Sequence, residues 1–397
     1  MSNRPIYLDC HATTPMDERV LEAMLPYFTE HFGNPSSMSH VYGWEAEAAL
    51  KQARQKLADA IGATPEEIIF TSGATEANNL ALKGVAEAYF SQGRHIITVE
   101  TEHKAILDPC RYLQTLGFEV TFLSVQPDGL IDLAQLEQAI RPDTILVSVM
   151  AANNEIGVLQ SLGEIGAICR QQQVLFHTDA AQGIGKILLD VEEMKIDLMS
   201  LTAHKIYGPK GIGALYMRRR NPRVRVAPQI QGGGQERGIR SGTLPIPQIV
   251  GFAKAVELAL EELKSESQRL LQLRDYLWHA LCKLENIHLN GHPTQRLPGN
   301  LNISVEGVDG SALLLGLQST AAVSSGSACS SGNVAPSHVL LALGQSEMLA
   351  YASVRFGIGR FNSTAEIEQV AQHTISAIES LRQSQAAVSK SANLKVR

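Results

Sequence analysis

The chain has 397 residues, with 34 basic and 40 acidic side chains, a net charge of −6, and 44% hydrophobic against 19% charged residues. This balance implies a globular protein with a large core and more than one compact unit, and the acidic excess argues against a nucleic-acid partner. No apolar run is long enough to span a membrane, and the opening MSNRPIYLDC has no apolar signal core, so a cytoplasmic protein with no membrane partner is expected.

Taken along the chain, residues 1–14 precede an alternating region and are expected to pack with a later, smaller domain. From about residue 64 to 217, short apolar runs alternate with helical patterns. Seven runs read as strands: 67–71, 95–100, 118–123, 144–150, 174–179, 197–202 and 213–217. Most are continuously apolar, which fits a sheet covered on both faces. Residues 247–284 read as one long helix or two joined. A strand at NLNISVE, the small-residue run around 321–332, a helical SHVLLALG, a strand at ASVRFGIG and a last helix from about Thr364 complete the chain. The expected fold class is α/β. A large domain (15–255) has a mostly parallel seven-stranded sheet flanked by helices, with ligands at the carboxyl ends of the strands. A smaller α+β domain comprises 1–14 and 256–385, and residues 386–397 form a polar, flexible tail.

Five cysteines (Cys10, Cys110, Cys169, Cys282, Cys329) are scattered, with no C-x-x-C pair. A disulfide framework or zinc ribbon is therefore not expected. Four read as small buried hydrophobes. Cys329 differs, because SSGSACSSG (324–332) contains no side chain large enough to build a core.

Three motifs carry chemistry together. FTSGATEANNLAL (70–82) is a strand, a small-residue turn and a helix start, where backbone N–H groups favour a phosphate; equally, Ser72 or Thr75 with Glu76 can serve as a capping box. HTDAAQGIGK (177–186) sets Asp179 at a strand end, followed by Gln182; an acid there can cap a helix or face a cofactor nitrogen. SLTAHKIYGPKGIGALYM (200–217) sets Lys205 among glycines after the next strand, without the P-loop pattern. A phosphate cradle, a strand-end acid and a lysine 26 residues later at one sheet edge are what pyridoxal 5'-phosphate requires. His103, in VETEHKAILDP (99–109), follows another strand, where it can start a helix or move protons over a ring.

With these motifs, NNEIG, RSGT and SSGSACSS make the chain resemble a cysteine desulfurase of the NifS/IscS type, in the class V aminotransferase group of fold-type I pyridoxal-phosphate enzymes. The resemblance runs from YLDCHATTP near the start to VRFGIGRF near the end. It implies that Lys205 binds the cofactor aldehyde, Asp179 pairs with the ring nitrogen, Gln182 bonds the ring hydroxyl, and His103 stacks and acts as acid and base. Ala74, Thr75, Thr202 and His204 would hold the phosphate, Thr202 standing where the family often has serine. Thr243 would reach the phosphate of a partner subunit, implying a homodimer. Asn154 and Arg355 would grip the substrate carboxylate, the arginine through its fork of donors, and Asn34 would line the substrate pocket.

The implied reaction converts L-cysteine to L-alanine and leaves a persulfide on Cys329, with Lys205 as base and the Cys329 thiolate as nucleophile. The long form of the cysteine segment, rather than an RSGHHC-like one, implies a mobile loop that also meets a sulfur-acceptor or iron–sulfur scaffold protein. A resident metal is not expected; Cys329 would at most be a transient iron–sulfur ligand with such a scaffold. The alternatives are another class V aminotransferase or lyase, which would leave Cys329 idle, and a non-catalytic scaffold member of the family.

Overall fold

The computed structural model describes residues 4–325 and 336–395, with side chains through residue 384. Twelve strands occur among them: β1 Ile6–Tyr7, β2 Ile68–Thr71, β3 His95–Val99, β4 Glu119–Leu123, β5 Thr144–Ser148, β6 Leu175–Asp179, β7 Leu198–Thr202, β8 Gly213–Met217, β9 Ile287–Leu289, β10 Asn300–Val305, β11 Ala321–Ala322 and β12 Ser353–Gly357. The seven expected strands form one sheet in the order β2-β8-β7-β6-β5-β3-β4. Five pair in parallel, and β8 runs antiparallel to both β7 and β2. The reversal follows from chain length. Only residues 203–212 join β7 to β8, too few for the helical crossover that a parallel pair needs. The other six strands share one direction, so the turns after β2, β3, β5, β6 and β7 emerge at a single edge.

Continuous apolar runs are explained by burial on both faces. Ile69, Ile96, Leu146, Leu175 and Leu198 pack under the helices Ala74–Ala88 and Lys104–Thr115. Their neighbours Phe70, Ile97, Val147, Phe176 and Met199 point the other way, into a core with helices Val41–Asp59 and Leu162–Gln171. The strand period of two thus sorts one apolar run between two cores.

The stretch expected as one or two helices is a single helix, Ile246–Leu281, of 36 residues and about 54 Å. Ile249, Phe252 and Val256 near its start enter the sheet core. Leu273, Leu277 and Leu281 near its end enter a separate core with Leu8, Leu301, Ile303, Phe356 and Ile367. There β9, β10 and β12 form an antiparallel sheet, and β1 pairs with β11. The first residues therefore pack with the late part of the chain.

Two expectations change. The last helix runs Thr364–Lys395, past residue 385; the stretch QAAVSKSANLK contains no glycine or proline, so its backbone has no breaker. Of the four cysteines read as buried, Cys10, Cys110 and Cys169 are, but Cys282 is exposed. It follows Leu281 at the end of the long helix, one position round from the side chain that enters the core.

Candidate active site

Asp179 ends β6 and is buried. Its Oδ2 accepts from Asn78 Nδ2 at 2.7 Å and its Oδ1 from the Ala181 N–H at 2.9 Å. Both donors are neutral amides, and the two carboxylate oxygens have lone pairs to spare. The turn-capping bond to Ala181 does not exclude a role toward a ligand; the residue does the first and faces the cavity as well.

After β2 the chain turns at Gly73 into the helix Ala74–Ala88, and no side chain caps that helix. The Glu76 carboxylate accepts the Ser72 N–H at 2.8 Å and pairs with Arg240. Neither Ser72 nor Thr75 is the cap, and the first turn presents backbone donors to an anion. The start of β8 crosses this turn closely: a Cβ on Gly213 would lie 2.6 Å from Gly73 Cα. Only glycine lets the two backbones pass.

The end of β7 and the short β7–β8 connection bring Thr202, His204 and Lys205 to the same edge. Burial and the charges of Lys205, Lys210 and Lys186 hold His204 down at about 4, so its imidazole is neutral, beside Thr13 Oγ1 at 3.1 Å. Lys186 donates to Gln182 Oε1 at 2.8 Å, and burial with the Lys205 charge lowers its amine to about 7. Gln182 is engaged further: its Nε2 donates to the His11 carbonyl at 2.7 Å, and its Oε1 lies 3.2 Å from His11 Nδ1. As that oxygen can only accept, His11 carries its proton on Nδ1, and its buried Nε2 has no partner.

His103 caps the helix Lys104–Thr115, with Nδ1 accepting the Ala105 N–H at 3.0 Å. The neutral ring therefore carries its proton on Nε2 and is set to donate there. Burial, then the Lys205 charge, lowers its pKa, against the pull of Asp179. Next to it, Glu102 is fully buried and its carboxyl is held well above the usual range by burial and by Asp179.

Ala74, Thr75, His103, Asn154, Asp179, Gln182, Thr202, His204 and Lys205 line one open cavity of about 420 Å³. Lys205 also lines a second, more enclosed cavity with Lys186, Cys10 and Glu266. Arg355 lies behind the first cavity. Its guanidinium donates to the Asn154 carbonyl at 2.9 Å and to Asp9 Oδ1 at 2.6 Å. Asn34 is exposed, accepting the Ser36 N–H, and Thr243 is exposed; neither lines the cavity. Cys329 lies outside the described residues. Asn78, His11, Glu102 and Lys186 were not singled out from sequence. Asn78 had one available signal: it lies one turn after Ala74 and so on the same helix face.

His177 shows what a structural histidine looks like in this sheet. On β6 it is fully buried between Ser148 Oγ at 2.9 Å and Ser200 Oγ at 3.0 Å. Burial lowers it from 6.5 to about 4. The unfolded chain therefore binds more protons between those values, and stability is full above about pH 6.5 and falls as pH drops toward 4. Acidification to about pH 5 is expected to cost roughly 2 kcal/mol at this residue. Thermal unfolding of His177→Asn should show a lower Tm near pH 7 but a smaller fall toward pH 5; an unchanged fall would contradict this assignment.

Among the described residues, no cluster of His, Cys, Asp and Glu is arranged to hold a metal, and no helix is long and apolar enough to cross a membrane. One edge of a mostly parallel sheet thus gathers a lysine, an acid and an uncapped helix start. The class-V aminotransferase profile matches residues 6–370, and the chain belongs to that family. Cysteine desulfurases are among its relatives. The Mus musculus cysteine desulfurase is 55% identical over 381 residues, covering 96% of this chain and 83% of the mouse protein. Cysteine desulfurase IscS of Methylobacillus flagellatus is 54% identical, covering 96% and 93%. A solved NifS-like protein superposes with a TM-score of 0.88 at 38% identity, covering 95% of this chain and 100% of its own. A structure of SspA in complex with cysteine gives 0.81 at 39%, covering 90% and 100%.

Proposed function

We propose that the chain is a pyridoxal-phosphate-dependent cysteine desulfurase that moves the sulfur of L-cysteine onto Cys329. The observation that carries this reading is the convergence of Lys205, Asp179, His103 and the uncapped start of the helix Ala74–Ala88 on one cavity. Two features support the fit of the cofactor. The helix start has no side-chain cap, which suits a phosphate, with Thr75, Thr202 and His204 beside it. Asp179 has neutral amide partners only, so it can accept from a protonated ring nitrogen. Pyridoxal 5'-phosphate, when bound, supplies the electron sink that makes the substrate Cα–H acidic.

The chain's own residues do the rest. Lys205 would hold the cofactor through its aldehyde and, as a free amine, would take the substrate's Cα proton. Asn154 and Arg355 orient the substrate carboxylate. The Cys329 thiolate attacks the substrate sulfur: an S–S bond forms as the Cβ–S bond breaks, and the electron pair of that bond stays with carbon. Cβ gains a proton, so L-cysteine leaves as L-alanine while Cys329 becomes a persulfide. His103, with its proton on Nε2, is suited to deliver one. The persulfide then passes its sulfur to an acceptor protein for iron–sulfur assembly or thiolation. The exposed Thr243 serves the phosphate of a second copy in a homodimer.

The test is mass spectrometry of the cofactor-loaded protein after L-cysteine, with alanine quantified in parallel. One added sulfur on the Cys329 peptide is expected. Alanine without that sulfur, in the absence of any thiol acceptor, would reject the transfer to Cys329. Asp179→Asn, which cannot keep the ring nitrogen protonated, should lower kcat roughly ten- to hundredfold, the worth of a hydrogen bond to a charged group. Activity within about twofold of wild type would remove Asp179 from this role.

A further inference from the structure

Residues 153–157 form a stiff turn at the cavity. Asn153 Oδ1 accepts the N–H groups of Glu155 at 2.8 Å and Ile156 at 3.0 Å, and its Nδ2 donates to the Thr101 carbonyl. The Glu155 carbonyl accepts from Asn300 and Asn302 on β10. The Glu155 side chain is buried and accepts from Ser337 Oγ at 2.5 Å. Ser337 is buried as well, and its Oγ accepts the Leu340 N–H. The adjacent His338 reaches the Glu102 carbonyl through Nε2 at 3.0 Å.

Ser337 stands just after the chain that carries Cys329, and Ser324 stands just before it. Ser324 exchanges backbone hydrogen bonds with Arg355, whose guanidinium holds the Asn154 carbonyl. Both flanks are thus tied to the dipeptide Asn154–Glu155, and Asn154 lines the cavity. Chain length makes these ties matter. Cys329 is five positions after Ser324 and eight before Ser337, so chain length limits it to about 18 Å from one anchor and about 29 Å from the other. A buried carboxylate is costly where a neutral side chain would fill the space, and the hydroxyl that Glu155 takes is the one at the end of this segment.

We infer that Glu155 is a positioning residue for sulfur transfer: through Ser337 it fixes the carboxyl-side anchor of the segment that carries Cys329. The inference rests on the reading of Cys329 as sulfur acceptor. The experiment mixes L-cysteine with cofactor-loaded wild type, E155A, S337A, the double variant and E155Q. It reads two quantities: the L-cysteine concentration that half-saturates the early visible spectral change, and the first-order rate of sulfur addition to Cys329 by quenched mass spectrometry. E155A and S337A should each slow addition roughly tenfold, the scale of one lost hydrogen bond at a buried carboxyl, and leave half-saturation within about twofold. The double variant should be no slower than either single one, because both remove the same contact. E155Q, whose amide oxygen still accepts from Ser337, should stay within about threefold of wild type. Wild-type rates in E155A and S337A, additive losses in the double variant, or half-saturation that moves in step with the rate would each overturn the inference. If E155A does not fold, S337A and E155Q decide it by the same criteria. Wild type that gains no sulfur on Cys329 defeats the acceptor reading itself, whereas a wild type that gains it with unslowed variants defeats only the anchor.

Discussion

Lys205→Ala is expected to lose the visible absorbance of the bound cofactor and at least about a thousandfold in turnover, within the range for removal of a positioned base and nucleophile. The argument starts from topology. Because ten residues join β7 to β8, the loop cannot wander from the sheet edge, and Lys205 is delivered beside His204 and Thr202. Its charge is felt by three groups, since His103, His204 and Lys186 are each lowered in part by it. This gives a readout independent of turnover. In Lys205→Ala the His204 imidazole should titrate above its present value of about 4, though burial, the larger cause, still holds it below an ordinary histidine. Lys205→Arg should keep the charge, and so the low His204 value, while remaining inactive. Imidazole titration by NMR with a cysteine-dependent alanine assay separates the two functions. Turnover of Lys205→Ala within tenfold of wild type would show that another group does its work.

Much of this site was legible because it is local. A strand-end acid, a lysine after the next strand and a histidine at a helix start are each written in a dozen consecutive residues. The parallel sheet then brings their ends together without further instruction. Continuous apolar runs likewise announced a sheet covered on both faces. What was not legible lies between distant residues. Asn78 meets Asp179 across 101 positions, His11 meets Gln182 across 171, and Glu155 meets Ser337 across 182. Such pairs have no local periodicity, and an asparagine in a helix or a glutamate in a turn reads as a surface residue until the partner is known. Asn34 and Thr243 are a different case. They were carried by resemblance, and they are exposed away from the cavity of their own chain.

Cys329→Ala is expected to leave cofactor binding and the early spectral response to L-cysteine intact while abolishing sulfur transfer, with at least about a thousandfold less alanine formed. The strength of this expectation comes from the other thiols. Burial pushes Cys10 and Cys110 up to about 12 and raises Cys169 likewise. At pH 7 only about one in a hundred thousand such groups is a thiolate, and the thiolate is the nucleophile. Cys10 comes nearest to competing, since it lines the enclosed cavity with Lys205, yet it has the wrong protonation state. Cys282 is exposed but sits at the far end of the long helix, beyond the residues that enter the second core. No described cysteine can therefore substitute, and Cys282→Ser should behave as wild type. The comparison also separates desulfuration from the other chemistries of this family. An aminotransferase or a lyase acting on a different substrate would keep its full rate without Cys329, because neither needs a protein thiol. Equal alanine production by Cys329→Ala and wild type would move the chain into that company, whereas an intact spectral response with no alanine assigns Cys329 to the step after substrate capture.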